Sequence, residues 1–207
     1  MKICVPKETR AAERRVALVP KDAAALAKKG ARIAVEAGAG ESAFFDDSQY
    51  AECGAEIASR EDVLSTAELL LTVNGIPAGE AAAVSPSAIV AGFLGPLDDP
   101  HALRSIAEHG QSLFSVEMIP RITRAQGMDA LSSMAMIAGY KAVLLAAQHA
   151  PCLFPLMMTA AGTLTPAKVF VIGAGVAGLQ AAATARRLGA VVEGYDIRPE
   201  VKEQVES

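Results

Sequence analysis

Apolar, β-branched-rich runs recur at residues 2–5, 31–37, 68–73, 88–93 and 112–116. Between them, residues 22–29, 62–66 and 100–109 space their apolar positions by three and four, the period of a helix with one buried face. Strands alternating with helices predict a parallel sheet covered by helices on both sides. Local punctuation agrees with this reading. Asp98-Asp99-Pro100 places acids and a first-turn proline at a helix start, and His109-Gly110 places a cation-capable residue and a glycine at its end. Residues 130–150 form a longer helical pattern, rich in alanine and with small residues on several faces. Pro151 and Pro155 end it, and residues 157–162 read as a linker.

A second alternation begins at Lys168-Val-Phe-Val-Ile172, a run with the character of a buried parallel strand. Gly173, Gly175 and Gly178 follow, then a helical stretch, then the apolar run at residues 190–195, and then Asp196. Strand, glycine turn, helix, strand and acid together make the dinucleotide-binding fingerprint. Each glycine has its own task. Gly173 permits the tight turn, Gly175 lets the backbone approach a pyrophosphate, and Gly178 permits close helix–strand packing. The helix from Val176 offers its free N–H groups and the positive end of its dipole to phosphate oxygens. Asp196 accepts hydrogen bonds from ribose hydroxyls and repels a 2′-phosphate, which favours NAD(H) over NADP(H). Arg198 complicates that preference, since a nearby arginine can serve a 2′-phosphate; beside Asp196 it is expected to flank the adenine ribose of NAD. The plainer alternative is that the glycines only shape a βα turn.

The expected fold class is therefore α/β, with two Rossmann-like parallel-sheet domains, the second incomplete. Residues 1–130 form the first, residues 131–150 a connecting helix, and residues 151–207 the first part of the dinucleotide-binding domain. The final segment holds one strand–helix–strand unit and the start of a helix, less than the two linked sets a whole dinucleotide fold needs. The missing half is expected to supply the nicotinamide-side wall.

Composition narrows the function. With 52% hydrophobic and 20% charged residues the chain can bury a substantial core. Its net charge of -4, and basic clusters no longer than a pair, leave no electrostatic footprint for nucleic acid. Cys4, Cys53 and Cys152 are odd in number and widely spaced, and read as thiols in a reducing compartment rather than as disulfides or a metal site. The N-terminal apolar run is too short for a signal peptide, and the apolar stretch 134–147 is broken by Lys141 and shorter than the ~18 residues of a membrane span. The chain is expected to be soluble.

Polar chemistry concentrates in Pro120-Arg121-Ile-Thr-Arg124-Ala-Gln126-Gly-Met-Asp129, followed by Ser132 and Ser133. Arg121 and Arg124 suit phosphate or Asp129, and Gln126 and Ser132 suit a carboxamide or a ribose. The pattern alone slightly favours the plainer reading, a solvated loop in which Asp129 caps the helix with Ser132 and Ser133 in its first turn.

This loop, with Ser132-Ser-Met-Ala-Met-Ile-Ala-Gly-Tyr140 after it, resembles the NAD(H)-binding component of proton-translocating NAD(P) transhydrogenase, the alpha subunit. Pro6-Lys-Glu-Thr-Arg10, Arg14-Arg-Val-Ala-Leu-Val-Pro20, Phe45-Asp-Asp47, Thr159-Ala-Ala-Gly162 and Arg198-Pro-Glu-Val-Lys-Glu-Gln-Val205 extend the likeness along essentially the whole chain. The resemblance implies a domain that binds NADH and passes hydride to NADP+ held on a partner domain. It implies coupling to proton movement through a membrane proton-channel subunit, a homodimer, and a cytoplasmic location peripheral to the inner membrane through those partners. It places Arg121, Gln126 and Asp129 at the nicotinamide end, with Gly127 and Met128 in the same loop and Ser132 at the carboxamide. Val176 falls in the glycine turn, and Asp196, Ile197 and Arg198 fall at the adenosine ribose. No general base and no metal is implied, because direct hydride transfer between nicotinamides rests on proximity and exclusion of water.

Two rival readings remain. Alanine dehydrogenases of the same superfamily share Arg15-Val-Ala-Leu18 but use a lysine and a histidine where this chain has Thr72 and Gly95. Without them amino-acid oxidation has no acid/base pair. Thr72 departs from many transhydrogenases as well, and Met136 stands where asparagine is frequent. The third reading is a catalytically incomplete binding or assembly module. His101, His109 and His149 have no useful ligand spacing and read as structural or surface residues.

Overall fold

The computed structural model describes residues 1–206, which cluster into two compact units. In the first, Met1–Met128, the strands are β1 (Lys2–Val5), β2 (Arg32–Glu36), β3 (Glu56–Ala58), β4 (Leu69–Leu71), β5 (Ile89–Gly92) and β6 (Ser112–Ser115). The helices are α1 (Pro20–Lys28), α2 (Asp47–Glu52), α3 (Arg60–Ser65) and α4 (Pro100–Ala107). All strand pairs are parallel, in the order β3-β2-β1-β4-β5-β6, so the chain reverses its direction of growth between β1 and β4.

Parallel strands must be covered on both faces, and the alternation along β1 shows how. Ile3 and Val5 point into a cluster with Val35, Leu18, Ala23 and Tyr50, while Cys4 joins Leu70, Val90, Val63 and Ile106 on the opposite face. Burial pushes the Cys4 thiol up, so it is a packing residue. Tyr50 is fully buried, and its hydroxyl donates to the Leu18 carbonyl at 2.8 Å. Burial first and the Asp47 charge second push that phenol up to about 12.

The helices begin where their caps dictate. Asp46 and Gln49 form a capping box on α2, and the Ser59 side chain accepts the Asp62 N–H of α3. Loops at the C-terminal ends of β1 and β4 are tied by charge. Glu8 accepts the Asn74 N–H at 3.2 Å, and the Asn74 side chain donates to Glu13 at 2.8 Å. Glu13 also takes the Arg15 Nε and Nη2 at 2.8 and 2.6 Å. The Arg15 side chain, and to a smaller degree the Asn74 bond, hold the Glu13 carboxyl down at about 2 against the opposing effect of burial.

The second unit, Asp129–Ser207, contains α5 (Ala130–His149), the antiparallel hairpin β7 (Met157–Thr159) and β8 (Gly162–Leu164), β9 (Lys168–Ile172), α6 (Val176–Arg187), β10 (Val191–Tyr195) and α7 (Lys202–Glu206). The hairpin replaces the linker that the sequence predicts at residues 157–162. Both of its strands are exposed throughout, so no burial alternation announces them. β9 and β10 run parallel as a two-stranded sheet. One face packs on α6 and α5 through Val169, Val192, Ala185 and Val143. The other leaves Phe170, Ile172 and Tyr195 exposed.

By length and composition α5 is the one helix among the described residues long and apolar enough to cross a membrane. Within its unit it packs closely on α6, because Gly139 has no side chain. A Cβ there would sit 2.1 Å from the Ala177 carbonyl oxygen. Gly139→Ala is therefore expected to force the helices apart and lower the stability of the second unit by about 1–3 kcal/mol. Gly79→Ala, where a Cβ meets nothing within 4 Å, should stay within about 0.5 kcal/mol. Denaturant unfolding of the two variants checks the contrast.

Glu13 generates a pH prediction. Its folded carboxyl titrates at about 2, below the ordinary 4.5. Between those values the unfolded chain binds the extra proton, so the stabilisation is complete above the ordinary value and is lost as pH falls towards about 2. Glu13→Gln should remove that part of the acid-side slope, read as a smaller drop in Tm between the two pH limits than in the wild-type chain.

Candidate functional site

The site is assembled from the end of β9, the turn beyond it and the end of β10. Gly173 takes φ +91°, a left-handed conformation that glycine adopts without strain. Its N–H donates to the Tyr195 carbonyl at 2.7 Å, carrying the β9–β10 pairing one residue past the strands. At Gly178 a Cβ would stand 1.8 Å from the Gly173 carbonyl oxygen, so the first turn of α6 lies directly against the strand end. At Gly175 a Cβ would meet nothing within 4 Å: the turn is open on that side. Gly175 is the N-cap of α6 and no side chain caps it, while Val176, 40% exposed, opens the helix. First-turn N–H groups and the helix dipole are thus available to an anion.

Asp196 closes the turn. Its carboxylate accepts the Ala174 N–H at 2.7 Å, the Arg198 N–H at 2.9 Å, and the Arg198 Nε and Nη2 at 3.0 and 3.1 Å. The Arg198 guanidinium, then the backbone donors of Arg198 and Ala174, hold this carboxyl far below the usual carboxylate range. It stays ionised and acceptor-only at any physiological pH. Ile197 between them is exposed. Gly173, Gly175, Val176, Gly178, Asp196, Ile197 and Arg198 therefore meet at one strand-end turn. An open glycine cradle, an uncapped helix start and a fixed anion at the neighbouring strand end suit a pyrophosphate and a ribose diol.

The polar loop divides between the units. Arg121, Gln126, Gly127 and Met128 are exposed in the first, the last three on a 3₁₀ turn at Thr123–Met128 anchored by buried Ala125. Met128, Ile122, Met118 and Phe114 border an apolar cavity of about 640 Å³ in that unit. Asp129 and Ser132 begin the second. Asp129 caps α5, accepting the Ser132 N–H at 2.9 Å and the Ser132 hydroxyl at 2.6 Å. The capping alternative for this stretch thus describes what Asp129 does in the structure. Met136 is exposed on α5.

Sequence reasoning missed Ala174, whose contribution is a backbone N–H that no residue type signals. It also missed the cluster of Glu8, Glu13, Arg15 and Asn74 at the point where the first sheet reverses. Charged residues directly after the run at 2–5 were the available signal. Nearby, Thr72 is buried with its Oγ1 accepting the Gly75 N–H at 3.0 Å, and Gly95 sits at φ +63° with its N–H donating to Glu117. Neither position offers a proton-transfer group. Among the described residues no cluster of ligand-type side chains could hold a metal.

Comparison with known proteins follows the same outline. The model for the alanine dehydrogenase/PNT N-terminal domain matches residues 4–138, and that for the C-terminal domain matches residues 142–207. An NAD(P) transhydrogenase subunit alpha from Cereibacter sphaeroides is 43% identical over 208 residues, covering 100% of this chain and 40% of its own. The crystal structure of a transhydrogenase from Sinorhizobium meliloti superposes with a TM-score of 0.96 at 44% identity, covering 100% of this chain and 62% of that one. An alanine dehydrogenase from Mycobacterium tuberculosis is more distant, 30% identical over 217 residues, covering 100% of this chain and 56% of its own. The chain spans about half the length of the curated relatives it matches, 40% to 56%. With both domain models matched in order along its length, the chain belongs to the alanine dehydrogenase/PNT family.

Proposed function

We propose that this chain is the NAD(H)-binding component of a proton-translocating NAD(P) transhydrogenase. The observation that carries the reading is the open glycine turn at the start of α6, closed on one side by the Ala174–Asp196 hydrogen bond. The resemblance to transhydrogenase alpha subunits, stronger than that to alanine dehydrogenase, supports it. The division of labour we propose is residues 1–130 as the first domain, 131–150 as the connecting helix and 151–207 as the cofactor domain.

When bound, NAD(H) supplies the hydride, which passes to NADP+ on a partner domain. Gly173, Gly175, Val176 and Gly178 would hold the pyrophosphate, and Asp196, Ile197 and Arg198 the adenine ribose. Gln126 would orient the nicotinamide ribose, Ser132 would meet the carboxamide, and Arg121, Gly127 and Met128 would flank that end. Asp129 would hold the loop, a role supported by its two bonds to Ser132. The partners are the NADP(H)-binding domain, the membrane proton-channel subunit and a second copy of this chain, at the cytoplasmic face of the inner membrane. Amino-acid oxidation is disfavoured by Thr72 and Gly95, which supply no acid/base pair.

Three outcomes test this. The exposed apolar face of Phe170, Ile172 and Tyr195 lacks the cover a doubly wound sheet has, so the isolated chain should bind NADH weakly and show no turnover alone. Calorimetric titration giving tight binding would contradict that expectation. Gly175→Ala should leave Tm unchanged, since its methyl meets nothing in the protein, yet cost about 1–3 kcal/mol of NADH binding, about fivefold to 150-fold. Unchanged affinity by NMR titration would sink the dinucleotide reading. Alanine-dependent NADH production above background would overturn the transhydrogenase assignment.

A further inference from the structure

Four large apolar side chains of the first unit, Phe114, Met118, Ile122 and Met128, are each 56–59% exposed, and all four border the same cavity of about 640 Å³. β6, the outermost strand of the sheet, and the 3₁₀ turn Thr123–Met128 both contribute to its walls. Single exposed apolar residues are ordinary, but a cluster around one concavity marks a binding surface. Two of the lining side chains are polar, Ser115 and Arg124. The Ser115 hydroxyl is committed to Glu117, whose carboxylate also takes the Leu94 and Gly95 N–H groups. Among the described residues, no hydrogen bond or ion pair engages the Arg124 guanidinium.

We infer that this cavity binds a small amphipathic anion, a medium-chain monocarboxylate, with its chain against the apolar walls and its carboxylate on Arg124. Small-molecule pockets of roughly 300–1,000 Å³ are built in this way, from apolar walls and a few polar groups that fix orientation. One uncommitted guanidinium matches a single carboxylate in charge and in the geometry of its planar fork. Glu117, one hydrogen bond behind Ser115, would repel a second negative charge, which disfavours a phosphate dianion. The glycine turn lies in the other unit, so the inference stands independently of the dinucleotide reading. Met128 alone is shared with the proposed nicotinamide end, and competition separates the two.

Methyl NMR of the 207-residue chain, titrated with butyrate, hexanoate and octanoate, reads the site through its methionines. Met118 and Met128 should shift, while Met157 and Met158, exposed on the hairpin, should not. Affinity should rise by up to about fourfold per added methylene. Arg124→Gln, at an exposed position, should weaken octanoate about tenfold and leave the binding of hexan-1-ol unchanged, which also shows that the cavity persists. Ile122→Glu should weaken octanoate by placing a like charge at the rim. Equal shifts at Met157 and Met158, no shift at all, or an Arg124 variant that binds octanoate as the wild type does overturns the inference. Should Arg124→Gln lose hexan-1-ol as well, Ile122→Glu carries the test, and octanoate binding that survives the added charge overturns the inference. Competitive displacement of octanoate by nicotinamide mononucleotide overturns it too, since the cavity would then belong to the nicotinamide end.

Discussion

Parallel strands are joined by crossovers that return over the sheet, so both faces of such a sheet have to be buried, and this requirement organises each unit separately. In the first unit it is met. β1 sends Ile3 and Val5 to one cluster and Cys4 to the other, and β4 and β5 add Leu70 and Val90 to the second. At about 25 cal/mol per Å² of apolar surface removed from water, these fully buried side chains dominate the stability of that unit. In the second unit the requirement is met on one face only, where α6 and α5 cover Val169 and Val192. Phe170, Ile172 and Tyr195 on the other face are exposed apolar surface of the kind that marks an interaction surface or an aggregation liability.

The turn between β9 and α6 follows from the same packing. α6 can lie against the strand end only because residue 178 has no Cβ, and α5 can lie against α6 only because residue 139 has none. Those two glycines bring backbone against backbone, so larger side chains there would act on the fold. Gly175 differs, since a Cβ at that position would meet nothing within 4 Å. Within the turn itself, the close approach at Gly178 contrasts with the open space at Gly175.

Legibility in the sequence tracked the range of the forces involved. The alternation of strands and helices, the glycine turn and Asp196 were readable because hydrophobic period and turn chemistry are local. The hairpin at β7 and β8 was not, since strands of three residues exposed on every side have no period to detect. α2 and β3 escaped for a related reason: both are short, and β3 contributes only Ile57 and Ala58 as partly buried apolar positions. The bond from Ala174 to Asp196 spans 22 residues and uses a backbone donor, so no residue type reports it. Asp129 carried two readings at once, helix cap and loop anchor, and its bonds to Ser132 serve either.

The strand order of the first unit is the one associated with nucleotide binding at the point of reversal, yet the fingerprint lies in the second unit. Electrostatics accounts for the difference. Beyond β4, the backbone N–H groups of Val73 and Asn74 donate to Glu8, at 2.5 and 3.2 Å. Beyond β5, those of Leu94 and Gly95 donate to Glu117, at 3.2 and 2.5 Å. The donors an anionic ligand would need there are already satisfied by carboxylates of the chain itself. An incoming phosphate would have to displace them and face their charge. At the start of α6 no side chain caps the helix, and the nearby carboxylate of Asp196 is neutralised by Arg198. The strand ends of the first unit thus spend loop N–H groups on Glu8 and Glu117, whereas the start of α6 has no side-chain cap.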